Sequence, residues 1–467
     1  MSLTEKKLNI LNIGSPLFKD VLEARQVPVT ALDWKPIAGG NAEHISALEL
    51  LENDPRVKAA NQEAVEKLLS SQPLLISMAL AGEVIPQMTK NTILHAGPPI
   101  SWNKMSGPLR AAILGAIVFE GLANDLEEAE IKVNAGEFIF DSCNNHQAVG
   151  PMAGVTSYSM PVFIVENSTY KNQAFCNMNE GLGKVLRYGA NSPEVITKLQ
   201  WMKNILYPTL KEALAKSEAI NLKILISQAL HMGDECHNRN KAATSLFIRT
   251  LLPSLLAIDV KKDQLKEVIE FLNSNDHFFL NLSMAASKAC LDAARNIKHS
   301  TLVTVMSRNG TEFGIQISGL GDKWFTGPAN FIKGLLFPEY TQDDCNPDIG
   351  DSAITETFGI GGFAMAASPA IVQFVGGDVD DALQYSLSMY KITLAENSLF
   401  SIPNLNFRGS PTGIDLQKVI ASNCLPVINT GIAHKKPGIG MVGAGVVHPP
   451  KICFEKALTE FMLCRND

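Results

Sequence analysis

Apolar runs alternate with amphipathic segments along the first hundred residues. Strand-like runs occupy 8–13, 28–32, 73–77 and 92–96, and helix-like patterns occupy 15–26 and 55–70. In the second helical pattern, apolar or small residues recur at spacings of three and four. Strands that alternate with helices are typical of a parallel sheet. The pattern therefore predicts an α/β fold with a Rossmann-like parallel-sheet domain over 1–100.

Helical periodicity dominates the next part of the chain. Residues 107–131 predict one helix, and 191–256 predict two or three more. The last of these would include 231–245, "HMGDECHNRNKAATS", which lies between two apolar runs. We therefore predict an α-rich middle region over 101–296.

The pattern changes again near residue 297. Here β-rich runs are separated by Asn-Gly and Gly-Leu-Gly-Asp turns, which predict an antiparallel meander. Helical patterns return at 352–397, and the glycine-rich end predicts a loop with one short strand at 425–428. These features predict an α+β C-terminal domain over 297–467.

One uncharged segment, residues 357–377, is long enough to span a bilayer. It contains five glycines and one proline, and acidic residues flank it on both sides. We therefore interpret it as a buried core segment and predict no membrane span.

Composition narrows the class of partner. The chain has 467 residues, 46% of them hydrophobic, and a net charge of −7, so it gives no electrostatic footprint for nucleic acid. Its eight cysteines contain no C-x-x-C pair, and the N-terminal segment lacks the features of a signal peptide. We expect a cytoplasmic protein with reduced thiols whose partners are small molecules or other proteins.

The stretch 231–245 contains many side chains that can take part in catalysis or ligand binding. On a helix its polar residues would share one face, and that face is either solvated or turned toward a ligand. A metal site built from His231, Asp234, Glu235 and His237 is a weaker alternative, because the histidines do not have the H-E-x-x-H spacing. We predict no metal and no cofactor.

Five other clusters also combine glycine or asparagine with charged or histidine side chains. They are "CNNHQAVGP" at 143–151, "NEGLGKVLR" at 179–187, "SRNG" at 307–310, "NPDIGDSAITE" at 346–356 and "NTGIAHKK" at 429–436. Glycines beside cationic side chains suit anion binding, since backbone N–H groups approach closely. Structural alternatives stay open: Arg308 in an ordinary hairpin, and Asp351 as the cap of a helix that carries Thr355 and Glu356. Together the clusters predict a site for a small anion.

These blocks carry a family resemblance. "ALDWKPIAGGN", "HAGPPISW", "GPMAGV", "NEGLGKVLR", "GDECHNRN", "NPDIGDSAITET" and "INTGIAHKKPGIGMVGAG" resemble the YlbE/YahG-like family, and the similarity runs from about residue 8 to about residue 460. The resemblance implies an AllG-type subunit of oxamate carbamoyltransferase, which converts oxalurate and phosphate to oxamate and carbamoyl phosphate. It also implies an FdrA-type subunit and a third small subunit as partners. Self-association is compatible with this picture.

The residue roles that we predict come from side-chain chemistry, because the resemblance does not supply them. Anions require cationic forks, a developing oxyanion requires fixed donors, and a leaving nitrogen requires a proton. The predicted catalytic residues are His146, His237, Asp234, Glu235, Glu356 and His434. The predicted anion- and substrate-binding residues are Asn145, Lys184, Arg187, Asn238, Arg239, Arg308, Asp351 and Thr355.

Three alternatives remain. The first is a non-catalytic structural subunit, the second is an acyl-CoA- or nucleotide-linked enzyme that uses the N-terminal domain, and the third is a metal-dependent amidohydrolase. The S-x-R-T phosphate motif of ordinary transcarbamoylases is absent from the sequence. Carbamoyl transfer would therefore use an unrelated site.

Overall fold

The computed structural model describes residues 10–14, 16–32 and 34–465. Its first elements are β1 (Ile10–Ile13), α1 (Pro16–Ala24), β2 (Val29–Leu32), α2 (Ala42–Glu52) and α3 (Pro55–Ser70). Next come β3 (Pro73–Leu80), α4 (Ala81–Val84), β4 (Thr92–His95), α5 (Gly107–Phe119) and α6 (Leu126–Asn134). They are followed by β5 (Ile139–Ser142), β6 (Ala148–Val149), β7 (Val155–Thr156), β8 (Pro161–Asn167) and β9 (Gln173–Asn177).

The strands predicted for one Rossmann-like sheet lie in three different sheets. β1 and β2 pair with each other in parallel, and α1 connects them. β3 belongs to a five-stranded sheet of order β10-β3-β8-β9-β6, where β10 is Ile220–Asn221, and β4 lies between β5 and β7. Because β3 pairs antiparallel with β8, which begins some eighty residues later, its partner was not readable from local periodicity. The α/β class is confirmed, and the Rossmann-like N-terminal domain is not.

Residues 10–32, which we call the N-terminal arm, expose apolar side chains. Leu11, Leu17 and Phe18 are more than half exposed, and so is Trp34, which follows the arm. β1, α1 and β2 pack mainly on one another. A two-stranded parallel sheet is only marginally stable by itself, since parallel sheets are normally covered on both faces.

The region predicted to be α-rich, 101–296, is helical mainly from Pro193 onward, because strands β5 to β9 occupy much of 139–177. It contains α7 (Pro193–Trp201), α8 (Tyr207–Ala215), β10, α9 (Leu222–His231), α10 (Lys241–Leu256), α11 (Lys262–Ser274) and α12 (Phe278–Ala293). The single helix predicted at 107–131 is wrong, because α5 ends at Phe119 and α6 starts after the N-cap Asp125. Gly121 occupies a left-handed conformation in the turn between them, with φ +69°.

Helix α12 is the central helix of the fold. Its residues from Phe278 to Leu291 are all buried, and it packs on β8 and β9 and on α13 (Ile354–Phe358). Phe278 makes a T-shaped contact with Phe163 of β8, with 5.9 Å between ring centroids. The N-terminus of α12 therefore occupies a fixed position beside the polar loops described below.

The C-terminal part contains the predicted meander. Its remaining elements are β11 (Val303–Asn309), β12 (Glu312–Ile317), β13 (Phe325–Pro328), β14 (Lys333–Leu336), β15 (Ile349–Gly350), α14 (Val372–Val375), α15 (Val379–Met389), β16 (Thr393–Ile402), β17 (Arg408–Ile414), α16 (Leu416–Ser422), β18 (Ile428–Ala433), β19 (Met441–Val447) and α17 (Lys451–Cys464). β13, β12, β11 and β15 form one antiparallel sheet in that order, which confirms the meander.

The loop predicted for the glycine-rich end is wrong. β18 and β19 pair there, β14 adds to β19, and α17 follows. The glycines permit close strand contact: a Cβ on Gly443 would lie 2.2 Å from the carbonyl oxygen of Leu335. Glycine therefore indicates tight packing here rather than a turn.

The uncharged segment 357–377 lies mostly in the interior, as predicted. Residues Gly361–Ala367 are all buried, in short helical turns beside α15. Within the described residues, no helix is both long and apolar enough to cross a membrane. Domain boundaries near 100 and 296 stay a prediction.

Candidate functional site

The polar stretch 231–245 is not one helix, so the prediction of a continuous helix there is wrong. Helix α9 ends in a Schellman motif, in which Gly233 N–H donates to Leu230 O and Asp234 N–H donates to Ala229 O. Gly233 has φ +81°, which glycine adopts without strain. A loop, residues 232–240, then connects α9 to α10, and we call it the polar loop; its residues 234–238 and 240 are buried.

Asp234 shapes the polar loop and caps α10. Its carboxylate accepts the N–H groups of Ala242 (2.8 Å), Ala243 (3.1 Å) and Cys236 (2.9 Å). Burial, and then the neighbouring charge of Glu235, raises the pKa of Asp234 to about 7. Asp234 is committed to the backbone, so we do not place it at the reaction centre.

This raised pKa predicts a pH effect on stability. The ordinary value for Asp234 is 3.8, so the folded chain holds a proton that the unfolded chain releases above pH 4. The stabilisation is fully present below pH 4 and is lost as pH rises through about 7. For Asp234→Asn, we expect the fall in unfolding free energy between pH 5 and pH 8 to be smaller by roughly 3 kcal/mol. Urea denaturation at both pH values measures it.

Only the difference between the two pH values is diagnostic in that experiment. An amide offers one acceptor oxygen where the carboxylate offers two, so Asp234→Asn lowers stability at every pH. If the wild type and the variant lose the same free energy from pH 5 to pH 8, the raised pKa is wrong.

Glu235 holds the polar loop together by accepting hydrogen bonds from its backbone. Its carboxylate accepts the N–H groups of Asn238 (2.6 Å) and Arg239 (3.0 Å), and burial raises its pKa. The side chain of Arg239 is half-buried, and its guanidinium has no hydrogen bond or ion pair with the described residues. Arg239 does not line the pocket described below.

His237 and Glu356 form a buried pair. His237 Nδ1 lies 2.8 Å and 3.0 Å from the two carboxylate oxygens of Glu356 and 3.2 Å from Thr355 Oγ1. Gly362 N–H also donates to the Glu356 carboxylate, at 2.8 Å. A proton on Nδ1 is donated to the Glu356 carboxylate, so Nε2 is the nitrogen that remains for another partner. In the described residues Nε2 has no hydrogen-bond partner.

A small pocket lies next to this pair. Its polar lining comes from Arg187, His237, Asn238, His277 and Ser352, and the rest is mainly apolar. The pocket contains about 320 Å³ of atom-free space, including the part open to solvent. The fold therefore brings together residues of three sequence clusters: Arg187 of 179–187, His237 and Asn238 of 231–245, and Ser352 of 346–356.

Arg187 is fixed by its own turn. Leu186–Tyr188 form a 3₁₀ turn, and the buried carboxylate of Glu180 accepts the N–H groups of Leu186 (2.7 Å) and Arg187 (3.1 Å). Arg187 donates from Nε and Nη2 to Gly181 O. Its Nη1 has no hydrogen-bond partner within the described part of the chain, which leaves donors for an anion.

Asn238 offers a second free donor. It is 8% exposed, and its Nδ2 is a buried nitrogen without a hydrogen-bond partner among the described residues. A buried amide donor without a partner costs free energy that a ligand oxygen restores. Asn238 therefore has a donor nitrogen that is free for an acceptor in the pocket.

His277 is a pocket residue that the sequence interpretation missed. It directly precedes α12; its backbone carbonyl accepts from Leu280 N–H, and its ring has no hydrogen-bond partner among the described residues. Burial, followed by the positive charge of Arg187, lowers its pKa to about 4, so the ring is neutral near pH 7. The signal available in the sequence was the polar run "NSND" before "HFFLNL", where a buried helix begins.

The guanidinium donors of Arg308 all have hydrogen-bond partners inside the protein. It binds Asp348 through two hydrogen bonds (2.7 and 2.8 Å) and donates to Gly350 O, Ser352 Oγ and Thr430 Oγ1. These contacts occupy all five guanidinium donors. We therefore leave Arg308 out of the site that we propose.

Asp351 connects separate segments and does not cap α13. Its buried carboxylate accepts from Gly97 N–H (2.8 Å), Gly150 N–H (2.9 Å), Asn144 Nδ2 (3.0 Å) and the Ser307 hydroxyl. Burial raises its pKa to about 6. The next residue, Ser352, lines the pocket, so the hydrogen bonds of Asp351 hold one wall of the pocket in position although Asp351 itself does not line it.

Four further predicted residues also lie outside the pocket. His146 lies 2.9 Å from Asp141, which raises the His146 pKa, and Asn145 is bonded to Asp141 and Trp324. His434 accepts from Lys436 N–H and lies 3.8 Å from Asp344. Lys184 is exposed in a separate cleft.

The metal alternative has no geometric support in the described residues, where no three His, Cys, Asp or Glu side chains are grouped to hold an ion. His231 is exposed and bonds Ser401 Oγ. All eight cysteines are free thiols.

Comparisons with known proteins agree on a family. Residues 138–352 match the model of the family described as oxamate carbamoyltransferase subunit AllG. The chain is 50% identical to the uncharacterised protein YahG of Escherichia coli (strain K12), over 98% of both chains. It is 45% identical to the oxamate carbamoyltransferase subunit AllG of the same organism, over 86% of this chain and 97% of that protein.

A solved structure extends this agreement to the fold. The crystal structure of a conserved protein of unknown function from Enterococcus faecalis V583 superposes with a TM-score of 0.86. The two are 52% identical, and the match covers 87% of this chain and 98% of the other. The chain belongs to the family of the oxamate carbamoyltransferase subunit AllG.

Proposed function

We propose that this chain carries the transfer site of a carbamoyltransferase complex, and that this site is the pocket around Arg187, His237 and Asn238. The reaction is the conversion of oxalurate and phosphate to oxamate and carbamoyl phosphate. One observation carries the proposal: His237 lines the pocket, is bound to Glu356 through Nδ1, and has no hydrogen-bond partner for Nε2 among the described residues. A carboxylate-oriented imidazole is a general acid–base arrangement.

The proton balance of the reaction needs one such group. A phosphate oxygen attacks the carbamoyl carbon, a C–O bond forms, and the C–N bond to the oxamate nitrogen breaks. The proton of hydrogen phosphate is taken up by Nε2 of His237 and passed to the leaving nitrogen. Glu356 stabilises the imidazolium formed between these two transfers.

The remaining pocket groups match the charges of the reactants. The unpaired Nδ2 of Asn238 donates to the carbamoyl oxygen, where negative charge develops. Arg187 binds the carboxylate or phosphate through its free donors. His277, neutral near pH 7, donates one hydrogen bond without adding a charge.

The experiment is a reconstituted assay. The chain is purified with its partner subunits, and carbamoyl phosphate is measured with oxalurate and phosphate as substrates. We expect activity in the complex and its loss in Arg187→Met, while Arg249→Met, at an exposed arginine of α10, keeps it. An active complex that is unaffected by Arg187→Met contradicts the proposed site.

We also propose that the N-terminal arm binds the FdrA-type partner. The support is that the apolar side chains of Leu11, Leu17 and Phe18 are exposed, in a strand–helix–strand unit whose parallel sheet lacks the covering that such sheets normally have. In a chain without residues 1–33, we expect loss of assembly with a melting temperature within about 2 °C of the full chain, since the arm packs mainly on itself. Co-purification with the truncated chain contradicts this assignment.

A further inference from the structure

The pocket around Arg187 and His237 is too small for the reactants as it stands. The space in which the centre of a water molecule fits measures about 20 Å³, which is enough for about one water molecule. The rest of its atom-free space is open to solvent or too narrow for a water molecule. Oxalurate and phosphate are each larger than one water molecule, so a wall of the pocket must move before they enter.

The wall that contains Leu182 is the one with the fewest restraints. Leu182 is 51% exposed, whereas the other lining residues are buried or half-buried. The main chain of Leu182, Gly183 and Lys184 makes no hydrogen bond with the described residues. Gly181 and Gly183 have φ +90° and +89°, conformations that glycine adopts without strain. Residues 181–184 therefore form a weakly held turn, which we call the lid.

The lid lies between two fixed residues and separates two spaces. Glu180 before it and Val185 after it are both buried. Leu182 lines the pocket, whereas Lys184 lines the separate cleft on the other side of the turn. A movement limited to the lid would therefore open the pocket without unfolding the residues on either side.

Arg187 holds the lid by its first residue. Its Nε and Nη2 donate to Gly181 O at 3.2 Å and 2.7 Å, and Gly181 N–H donates to Asn179 Oδ1 at 2.9 Å. An anion bound on the Nε–Nη2 edge of the guanidinium must replace Gly181 O there. The residue that we propose as the anion ligand is therefore also the residue that keeps the lid in place.

We propose that the lid opens to admit the reactants, and that Arg187 controls it by exchanging Gly181 O for an oxygen of the bound anion. The inference rests on the proposed carbamoyl transfer and concerns the access of its reactants to the site. In the empty pocket, the two bonds from Arg187 keep the lid closed. With an anion on Arg187 these bonds are lost, and the anion keeps Leu182 away from its present position.

A cross-link tests whether the lid must move. A Cβ on Gly440 would lie 3.1 Å from Gly183 O, so the neighbouring positions 182 and 441, which both line the pocket, lie within reach of a short bridge. Leu182→Cys and Met441→Cys are combined and joined by a short reagent that reacts with two thiols. Cys424→Ser and Cys464→Ser remove the two native cysteines that are not buried. The control is the same chain with each new thiol capped by a one-ended reagent.

Calorimetry of the full chain with phosphate and oxamate measures binding. We expect the bridged chain to bind at least about tenfold more weakly than the capped chain, because a chain whose lid cannot open is not competent to bind. Equal affinity in the bridged and capped chains overturns the lid and leaves the proposed function standing. If the wild type itself binds neither phosphate nor oxamate, the proposed site fails, and the lid fails with it.

The rate at which the reagent bridges positions 182 and 441 tests the role of Arg187 without a ligand. Arg187→Met should slow bridging, because the closed lid loses its two bonds, and phosphate with oxamate should slow it in the chain that keeps Arg187. Arg110→Met is the matched control, since Arg110 also donates from Nε and Nη2 to backbone carbonyls, those of Trp102 (3.1 Å) and Asn103 (2.7 Å). Equal bridging rates with and without Arg187 contradict the proposal.

Discussion

Replacing His237 with asparagine is expected to lower kcat for carbamoyl phosphate formation by about 10²–10⁴-fold. His237 lines the pocket, its Nδ1 is bound to Glu356, and its Nε2 has no hydrogen-bond partner among the described residues. Asparagine cannot pass a proton from phosphate to the leaving nitrogen, so the chemical step slows while binding through Arg187 persists. Initial rates of the reconstituted complex at saturating substrate measure the effect.

The control is a histidine from the same stretch of sequence. His231 is exposed and bonds Ser401, so His231→Asn should leave kcat within about threefold of wild type, as surface changes usually do. Glu356→Gln should resemble His237→Asn in kcat, because an amide disturbs the tautomer that presents Nε2. If His237→Asn keeps wild-type kcat in a folded complex, the proton transfer that we assign to His237 is wrong.

Replacing Arg308 with methionine is expected to lower the unfolding free energy by about 3–5 kcal/mol. Arg308 and Asp348 are both completely buried and form a two-bond ion pair. Removing the guanidinium leaves the Asp348 carboxylate in the interior without its cation, and it also frees the Gly350 carbonyl. Urea denaturation of the isolated chain measures the loss.

A double variant checks the physical cause. Adding Asp348→Leu to Arg308→Met removes the stranded charge, so part of the lost stability should return. The sequence had suggested Arg308 as an anion ligand, and the experiment distinguishes that role from a structural one. Wild-type stability in Arg308→Met, together with lost phosphate binding, would contradict the structural role.

Local signals in the sequence predicted local structure well. Helix α3 was predicted over 55–70 and begins and ends at these residues, because Asp54 caps it, Pro55 starts it and the apolar spacing is regular. The meander from β11 to β13 was predicted from its turn residues. Both depend on residues close together in the chain.

Pairing between distant segments was not predictable. The run at 73–77 has the pattern of a buried strand whether its neighbours are parallel or antiparallel, so it could not show that β3 pairs with β8. The stretch 231–245 kept an apolar context on both sides, which hid the break at Gly233. The carboxylate of Asp234 makes that break stable, because it caps the next helix.

The candidate site was predictable in its chemistry but not in its assembly. Arg187, His237 and Asn238 were chosen because cations, imidazoles and amides suit an anionic substrate, and they meet in one pocket. The same criterion also selected His146, His434 and Lys184, which lie elsewhere. Side-chain type alone does not separate a ligand-facing residue from one that binds its own chain.

The most direct test is a crystal structure of the chain soaked with oxamate and phosphate. The account predicts an anion bound by Arg187, with an oxygen accepting from Asn238 Nδ2 and Nε2 of His237 facing the bound molecules. Ordered anions in the Lys184 cleft or beside His434, with the Arg187 pocket holding only water, would contradict it.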